Sequence, residues 1–384
     1  MKRILVFSLA YYPVFISGAE AAIKEITDRI TPKDIEFHMI TLLFDRGSPR
    51  DEIIGNVHVH RVGFGGAYIS KILFPFVSAI KARSLHKKYH FDALWAMMTY
   101  MLLPTMLAKS FGVRVPHVLT LQDGDSYKKV FGRMRIMPFI PIINNGFRTA
   151  GVIQVISRYL ASWPKKRGSD SPVVLVRNGA NPRDLKEDSS KEDILSVQKK
   201  IGKKDGDVWL VNTSRMVHQK GIDTTIEALT HLPAHVKFLA VGDGVDATKL
   251  KELATHLHVD DRVVFTGRVD RSEVTLYRKA CDIFVAPSRS EGLGNAFVSA
   301  LASRLPLVTS GVGGIADYAI DGETAWIVPP DKPQALAEKI KEVMDNPEKA
   351  RKISEHARSI VENEYDWDKI ATQMRERVFN FVLK

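Results

Sequence analysis

Short apolar runs alternate with stretches of helical spacing from one end of this chain to the other. Apolar runs bounded by polar turns predict buried strands, and the segments between them, apolar at every third or fourth place, predict helices. The pattern predicts strands over Arg3–Leu9, Phe37–Thr41, Val57–Arg61, Ala93–Trp95, His117–Thr120, Val152–Val155 and Val173–Val176. It predicts further strands over Val208–Val211, Val236–Val241, Val263–Thr266, Ile283–Ala286, Leu307–Thr309 and Ala325–Val328. Helices are predicted over Gly18–Ile30 and Asp188–Lys200, and an amphipathic one over Tyr365–Phe379. Such alternation specifies an α/β protein with two doubly wound parallel sheets, whose ligands bind at the carboxyl ends of the strands.

Arg177–Pro182 has turn composition and is followed by the polar stretch Arg183–Lys204. The expected division is therefore a first domain over 1–186, a second over 187–364 and a tail over 365–384. At 384 residues each domain can bury its own core. The longest charge-free stretch, Ala93–Ala108, is shorter than the roughly 20 residues of a bilayer span and contains Pro104. It predicts a strand and a buried helix. The apolar start after Met1-Lys2-Arg3 runs into Tyr11-Tyr12-Pro13, which fits a first strand and not a signal peptide. The single cysteine, Cys281, lies in an apolar run and reads as a buried thiol; one cysteine allows no intrachain disulfide, which fits a cytoplasmic protein.

A net charge of +11 favours anionic partners: nucleoside diphosphates, lipid diphosphates or an acidic membrane face. No zinc-ligand spacing or RNP-like aromatic pattern stands out, so no nucleic-acid partner is expected. Tyr68–Lys88 and Lys128–Ile140 mix cations with large apolar groups. Each is either a segment lying in a membrane interface or an internal helix with a solvated basic face.

Two motifs carry chemistry. In the first, Ser214-Arg215-Met216-Val217-His218-Gln219-Lys220-Gly221, a strand gives way to a loop and then a helix, so Arg215, Lys220 and a helix N-terminus can converge on a diphosphate. The second, Pro287-Ser288-Arg289-Ser290-Glu291-Gly292-Leu293-Gly294-Asn295, sets a carboxylate beside a Gly-rich turn. Glu291 can accept hydrogen bonds from sugar hydroxyls and face developing positive charge, or simply cap the following helix. A dehydrogenase is disfavoured, because Tyr11-Tyr12-Pro13 follows the first strand where Gly-x-Gly-x-x-Gly would stand.

With the Gly18-Ala19-Glu20 start, the Val241-Gly242-Asp243-Gly244 turn, Gly313-Gly314 and Asp321-Gly322-Glu323-Thr324-Ala325, these motifs resemble glycosyltransferase family 4 over nearly the whole chain. The resemblance implies the GT-B fold, two facing Rossmann-like domains with the C-terminal helix crossing back to the first. It also implies a retaining, metal-independent transferase without cofactor, moving a hexosyl group from a nucleoside-diphosphate sugar to a glycan or glycolipid hydroxyl. By that similarity Arg215 and Lys220 would hold the diphosphate, aided by the Gly18 and Gly242 backbones. Glu291 would face the anomeric carbon, with Gly292, Leu293, Gly294 and Asn295 lining the sugar. Arg268 and Val269 would lie against the base.

Two positions depart from the family. Ser299 stands where a glutamate usually grips the ribose, and Gln122 where a histidine often faces the donor sugar. Neighbouring Asp123 either orients a substrate or belongs to an ordinary Asp-Gly-Asp turn. These losses motivate an alternative, a GT-B scaffold that binds nucleotide or anionic lipid without transfer. A peripheral position at the inner face of the cytoplasmic membrane is the expected location.

Overall fold

The apolar run Ile4-Leu5-Val6-Phe7 is fully buried within β1 (Lys2–Phe7), as befits a parallel strand covered on both faces. With β2 (Ile35–Leu42), β3 (Asp51–Ile54), β4 (Val57–Val62), β5 (Ala93–Met97), β6 (His117–Leu121), β7 (Val152–Val155) and β8 (Val173–Leu175) it forms an eight-stranded sheet, ordered β3-β4-β2-β1-β5-β6-β7-β8. The first sheet is not wholly parallel as expected: β3 pairs with β4 antiparallel. The computed structural model describes every residue except 15, 67, 187 and 188.

The second sheet is parallel throughout. It contains β9 (Val208–Thr213), β10 (Val236–Val241), β11 (Val263–Gly267), β12 (Ile283–Ala286), β13 (Leu307–Thr309) and β14 (Trp326–Ile327), ordered β11-β10-β9-β12-β13-β14. Two units result, residues 1–178 with 367–384, and residues 179–366. The chain thus leaves the first unit at Asn178, ahead of the expected boundary at 186, because the polar stretch after Pro182 already packs as a helix, Pro182–Lys186, in the second. The helix expected over Asp188–Lys200 runs Lys191–Ile201, capped by Ser190 Oγ on the Asp193 N–H, and residue 188 is outside the described residues.

The helix after β1 is shorter than its apolar pattern suggests. It covers Gly18–Thr27, opened where the Glu20 carboxylate accepts the Ser17 backbone N–H at 2.7 Å and closed at Asp28, which pairs with Lys24. The tail rejoins the first unit at Trp367. Its helix, Trp367–Met374, loosens into a wider turn at Arg375–Phe379, and Trp367, Ile370, Met374, Val378 and Phe379 enter the first core. There Phe379 meets Trp95 edge-on at 5.1 Å, and Arg375 grips Asp34 with two hydrogen bonds of 2.5 and 2.7 Å, holding that carboxyl below its ordinary pKa.

Candidate active site

Three motif loops of the second unit leave the carboxyl ends of strands, 214–221 after β9, 242–246 after β10 and 287–294 after β12. The two motifs meet. Lys220 Nζ lies 2.5 Å from Glu291 Oε1, with the carboxylate buried and also accepting from Ser288 Oγ at 3.3 Å. The close approach is built from glycines. Gly221 has φ +66° and a Cβ there would run into the Pro287 carbonyl; Gly313 has φ +60° and a Cβ there would strike the Glu291 carbonyl. The Gly314 N–H donates to that same carbonyl at 3.0 Å, and Tyr318 Oη donates to the Leu293 carbonyl at 2.8 Å. Burial raises the Tyr318 phenol well above its ordinary pKa, so it remains a donor.

Arg289 was part of the second motif but its task was not legible there. It clamps the two loops: its guanidinium takes both Asp223 carboxylate oxygens at 2.9 Å, the His218 carbonyl at 2.5 Å and Asp331 at 2.6 Å. Its own N–H donates to the Gln219 carbonyl at 2.8 Å. Arg215, by contrast, is exposed, and Gly242 (φ +140°) supports its loop by close approach to the Ser214 carbonyl. Gly292 and Leu293 are buried, while Gly294, in the left-handed region, caps the helix Asn295–Ala302. Arg268 is exposed and Val269 half-buried beyond β11, on a different loop from the ion pair.

Ser299 lies inside the helix Asn295–Ala302, buried, and its Oγ accepts the Asn181 N–H at 3.0 Å. It braces the turn that opens this unit, while its own O–H remains available as a donor. In the first unit Gly18 is exposed at the first position of its helix. Gln122, expected to reach a sugar, pairs amide to amide with Asn178, at 2.9 and 3.3 Å. Asp123 accepts from the Thr99 hydroxyl at 2.9 Å and the Thr99 N–H at 3.3 Å, so it fixes a loop and is not merely a solvated turn residue.

Burial raises the Asp123 carboxyl from its ordinary value to about 6, against the lowering effect of the Thr99 bonds. A raised folded pKa contributes stability that is complete below the unfolded value near 3.8 and is lost as pH rises through 6. Asp123→Asn is therefore expected to gain on wild type across that window, by at most about 3 kcal/mol at 1.36 kcal/mol per unit. Melting curves of both proteins at pH 4 and 7.5 check this; a constant difference would mean that the carboxyl is ionised throughout.

Residues 193–360 match the family described as glycosyl transferases group 1. This stretch belongs to that family. An uncharacterized glycosyltransferase of Methanocaldococcus jannaschii is 25% identical over 95% of both chains. The alpha-monoglucosyldiacylglycerol synthase of Streptococcus pneumoniae is 26% identical over 80% of this chain and 71% of its own. Among solved structures, Anabaena HepE in complex with UDP-glucose superposes with a TM-score of 0.81 at 21% identity, over 99% of this chain and all of that one. The protein is a glycosyltransferase with the two doubly wound domains of the GT-B fold.

Proposed function

We propose that this glycosyltransferase is a retaining family 4 enzyme that moves a hexosyl group from a nucleoside-diphosphate sugar to a hydroxyl of a lipid-linked or polysaccharide acceptor, without a metal ion. The observation that carries the reading is the contact between Lys220 and Glu291 beneath the Gly-rich turn. Lys220, with Arg215 on the same loop, supplies the positive charge on which a diphosphate leaves. Glu291, held by Ser288 and by the backbone at Gly313-Gly314, is the carboxylate that would face an oxocarbenium-like carbon. Departure of the leaving phosphate on the face that the acceptor attacks, with that phosphate taking the acceptor's proton, accounts for retention without a glycosidase-type carboxylate pair.

The HepE complex supports a UDP-sugar donor, and the pneumococcal relative's name supports a lipid acceptor. Helix Tyr68–Tyr89 supports a membrane surface as the acceptor's location. It exposes Ile69, Ile72, Phe76 and Ile80 together with Lys71, Arg83, Lys87 and Lys88, while Phe74, Ala79, Ala82 and Leu85 on its other side are buried. Arg135, beside the exposed Met134 and Met137, donates to Tyr68 Oη at 3.2 Å and extends the patch. Among the described residues no helix is long and apolar enough to cross a membrane.

A thermal-shift series against UDP, GDP, ADP and their sugar conjugates tests the donor. One nucleotide series is expected to raise the melting temperature, through about 2.7 kcal/mol of added stability at a hundred times Kd, and Lys220→Ala to abolish the rise. The engagement of Gln122 by Asn178 favours the second reading, a binding scaffold without transfer. Nucleotide binding without release of nucleotide from any sugar conjugate, in the presence of lipid and glycan acceptors, would select it.

A further inference from the structure

On β2 and β4 the alternation of the strands places Glu36, His38, His58 and His60 on one face, and the register sets His38 opposite His58. Asp51 of the edge strand β3 stands opposite His60. The side chains form an unbroken row. Asp51 Oδ1 lies 2.5 Å from His60 Nδ1, His60 Nε2 lies 3.1 Å from His38 Nδ1, and His38 Nε2 lies 2.8 Å from Glu36 Oε1. The rings of His38 and His60 lie within 6° of parallel with centroids 5.4 Å apart, as edge-to-edge hydrogen bonding requires.

These three contacts need three hydrogens, one each. Two neutral imidazoles carry two. If both point towards Asp51, a bare His38 nitrogen faces a bare Glu36 oxygen; if both point towards Glu36, His60 faces Asp51 in the same way. The row is therefore complete only with one more positive centre. A cation at the Glu36 end has a third donor to hand. One ligand atom each of Glu36, His38 and His58 lie within 4.8 Å of one another, and the His58 ring stacks on His38 at 4.7 Å.

We propose that Glu36, His38 and His58 bind one divalent transition-metal ion, zinc being the natural match to two imidazoles and a carboxylate. Bound there, it takes the place of the missing hydrogen. His38 then donates Nδ1–H to His60, and His60 donates Nδ1–H to Asp51, the carboxylate-backed arrangement that orients metal-ligating histidines. Arg3 on β1 holds the other oxygen of Glu36 at 3.0 Å, and Tyr89, at the end of the covering helix, packs against His38 with its ring tilted by 41° and centroids 4.3 Å apart. Lys81 lies 3.9 Å from Asp51, and Arg50 also adds positive charge near that carboxylate. This ion is structural, joining the amino-terminal ends of β2 and β4, opposite the carboxyl ends, and independent of the proposed donor chemistry, for which no metal is expected. The lack of zinc-ligand spacing in the sequence is no obstacle, because the donors come as Glu-x-His and His-x-His on two strands.

The test is calorimetric titration of EDTA-stripped protein, purified without a histidine tag, with Zn2+ alone. Wild type is expected to bind one ion per chain and to melt higher with it. His58→Gln and Glu36→Gln, at partly exposed positions, are expected to lose that ion while melting like wild type in EDTA. Asp51→Asn is expected to weaken it about 10–100-fold, the usual effect of losing a carboxylate behind a ligand. Absence of a stoichiometric ion in wild type, or equal binding by His58→Gln, would overturn the proposal and leave the extra proton as what completes the row.

Discussion

Glu291→Gln is expected to lower kcat about 10²–10³-fold with KM for the donor nearly unchanged, the scale set by removing one preorganised electrostatic contact. Glu291 is buried, fixed by Lys220 at 2.5 Å and Ser288 at 3.3 Å, and its backbone carbonyl is held by Gly314. Glutamine keeps the shape and an acceptor for Lys220 but cannot oppose positive charge as the glycosidic bond breaks. An effect confined to kcat follows because that charge exists only in the transition state. Steady-state kinetics with the donor selected by thermal shift would decide it. A variant with unchanged kcat would remove the carboxylate from the chemistry and leave it as a counterion of the phosphate loop. Lys220→Ala should differ in kind, weakening donor binding and also leaving a buried carboxylate unpaired, so its melting temperature should fall as well.

Most of the fold could be read from the sequence because parallel strands buried on both faces are continuous apolar runs. Val152–Val155, Val236–Val241, Ile283–Ala286 and Leu307–Thr309 run as their patterns predict. The strand that escaped, Asp51–Ile54, opens with two acidic residues and covers only the edge of the sheet. Edge strands bear charge to discourage further pairing, so their apolar signal is weak. The early departure from the first unit at Asn178 was hidden for a different reason: Ser299 and Asn181 are neighbours only in space.

At the site, the residues on one loop were legible and the contacts between loops were not. That Arg215 and Lys220 share one loop follows from their spacing, but Arg289 gains its meaning from Asp223 and Asp331, on two other segments. Ser299 and Gln122 show the reverse. As isolated letters they read as lost ligand contacts, whereas Asn181 and Asn178 give them internal partners. The histidine row has the same origin, since Glu36-Phe37-His38 and His58-Val59-His60 each announce a shared face, but only the pairing of β2 with β4 brings the faces together.

Arg278→Ala is expected to destabilise the second unit by about 3–5 kcal/mol, the cost of leaving one partner of a buried ion pair behind. For a unit of this size that corresponds to roughly 2–4 °C per kcal/mol, hence a fall on the order of 10 °C in its transition. Arg278 and Asp184 are both almost wholly buried and in direct contact. Arg278 also donates to Thr213 at 3.3 Å, and Ser303 Oγ donates to the second oxygen of Asp184 at 2.8 Å. The pair therefore ties the helix Pro182–Lys186, the end of β9 and the end of the helix that begins beside Glu291. Arg358 adds to the same brace through the carbonyls of Asp184 and Leu185. Because the penalty comes from the orphaned charge, Arg278→Met combined with Asp184→Leu should recover much of the loss. Calorimetry of the single and double variants separates the two contributions. A single variant melting with wild type would mean that water reaches Asp184 and the pair is not buried; a double variant no better than the single would place the loss in packing and not in charge.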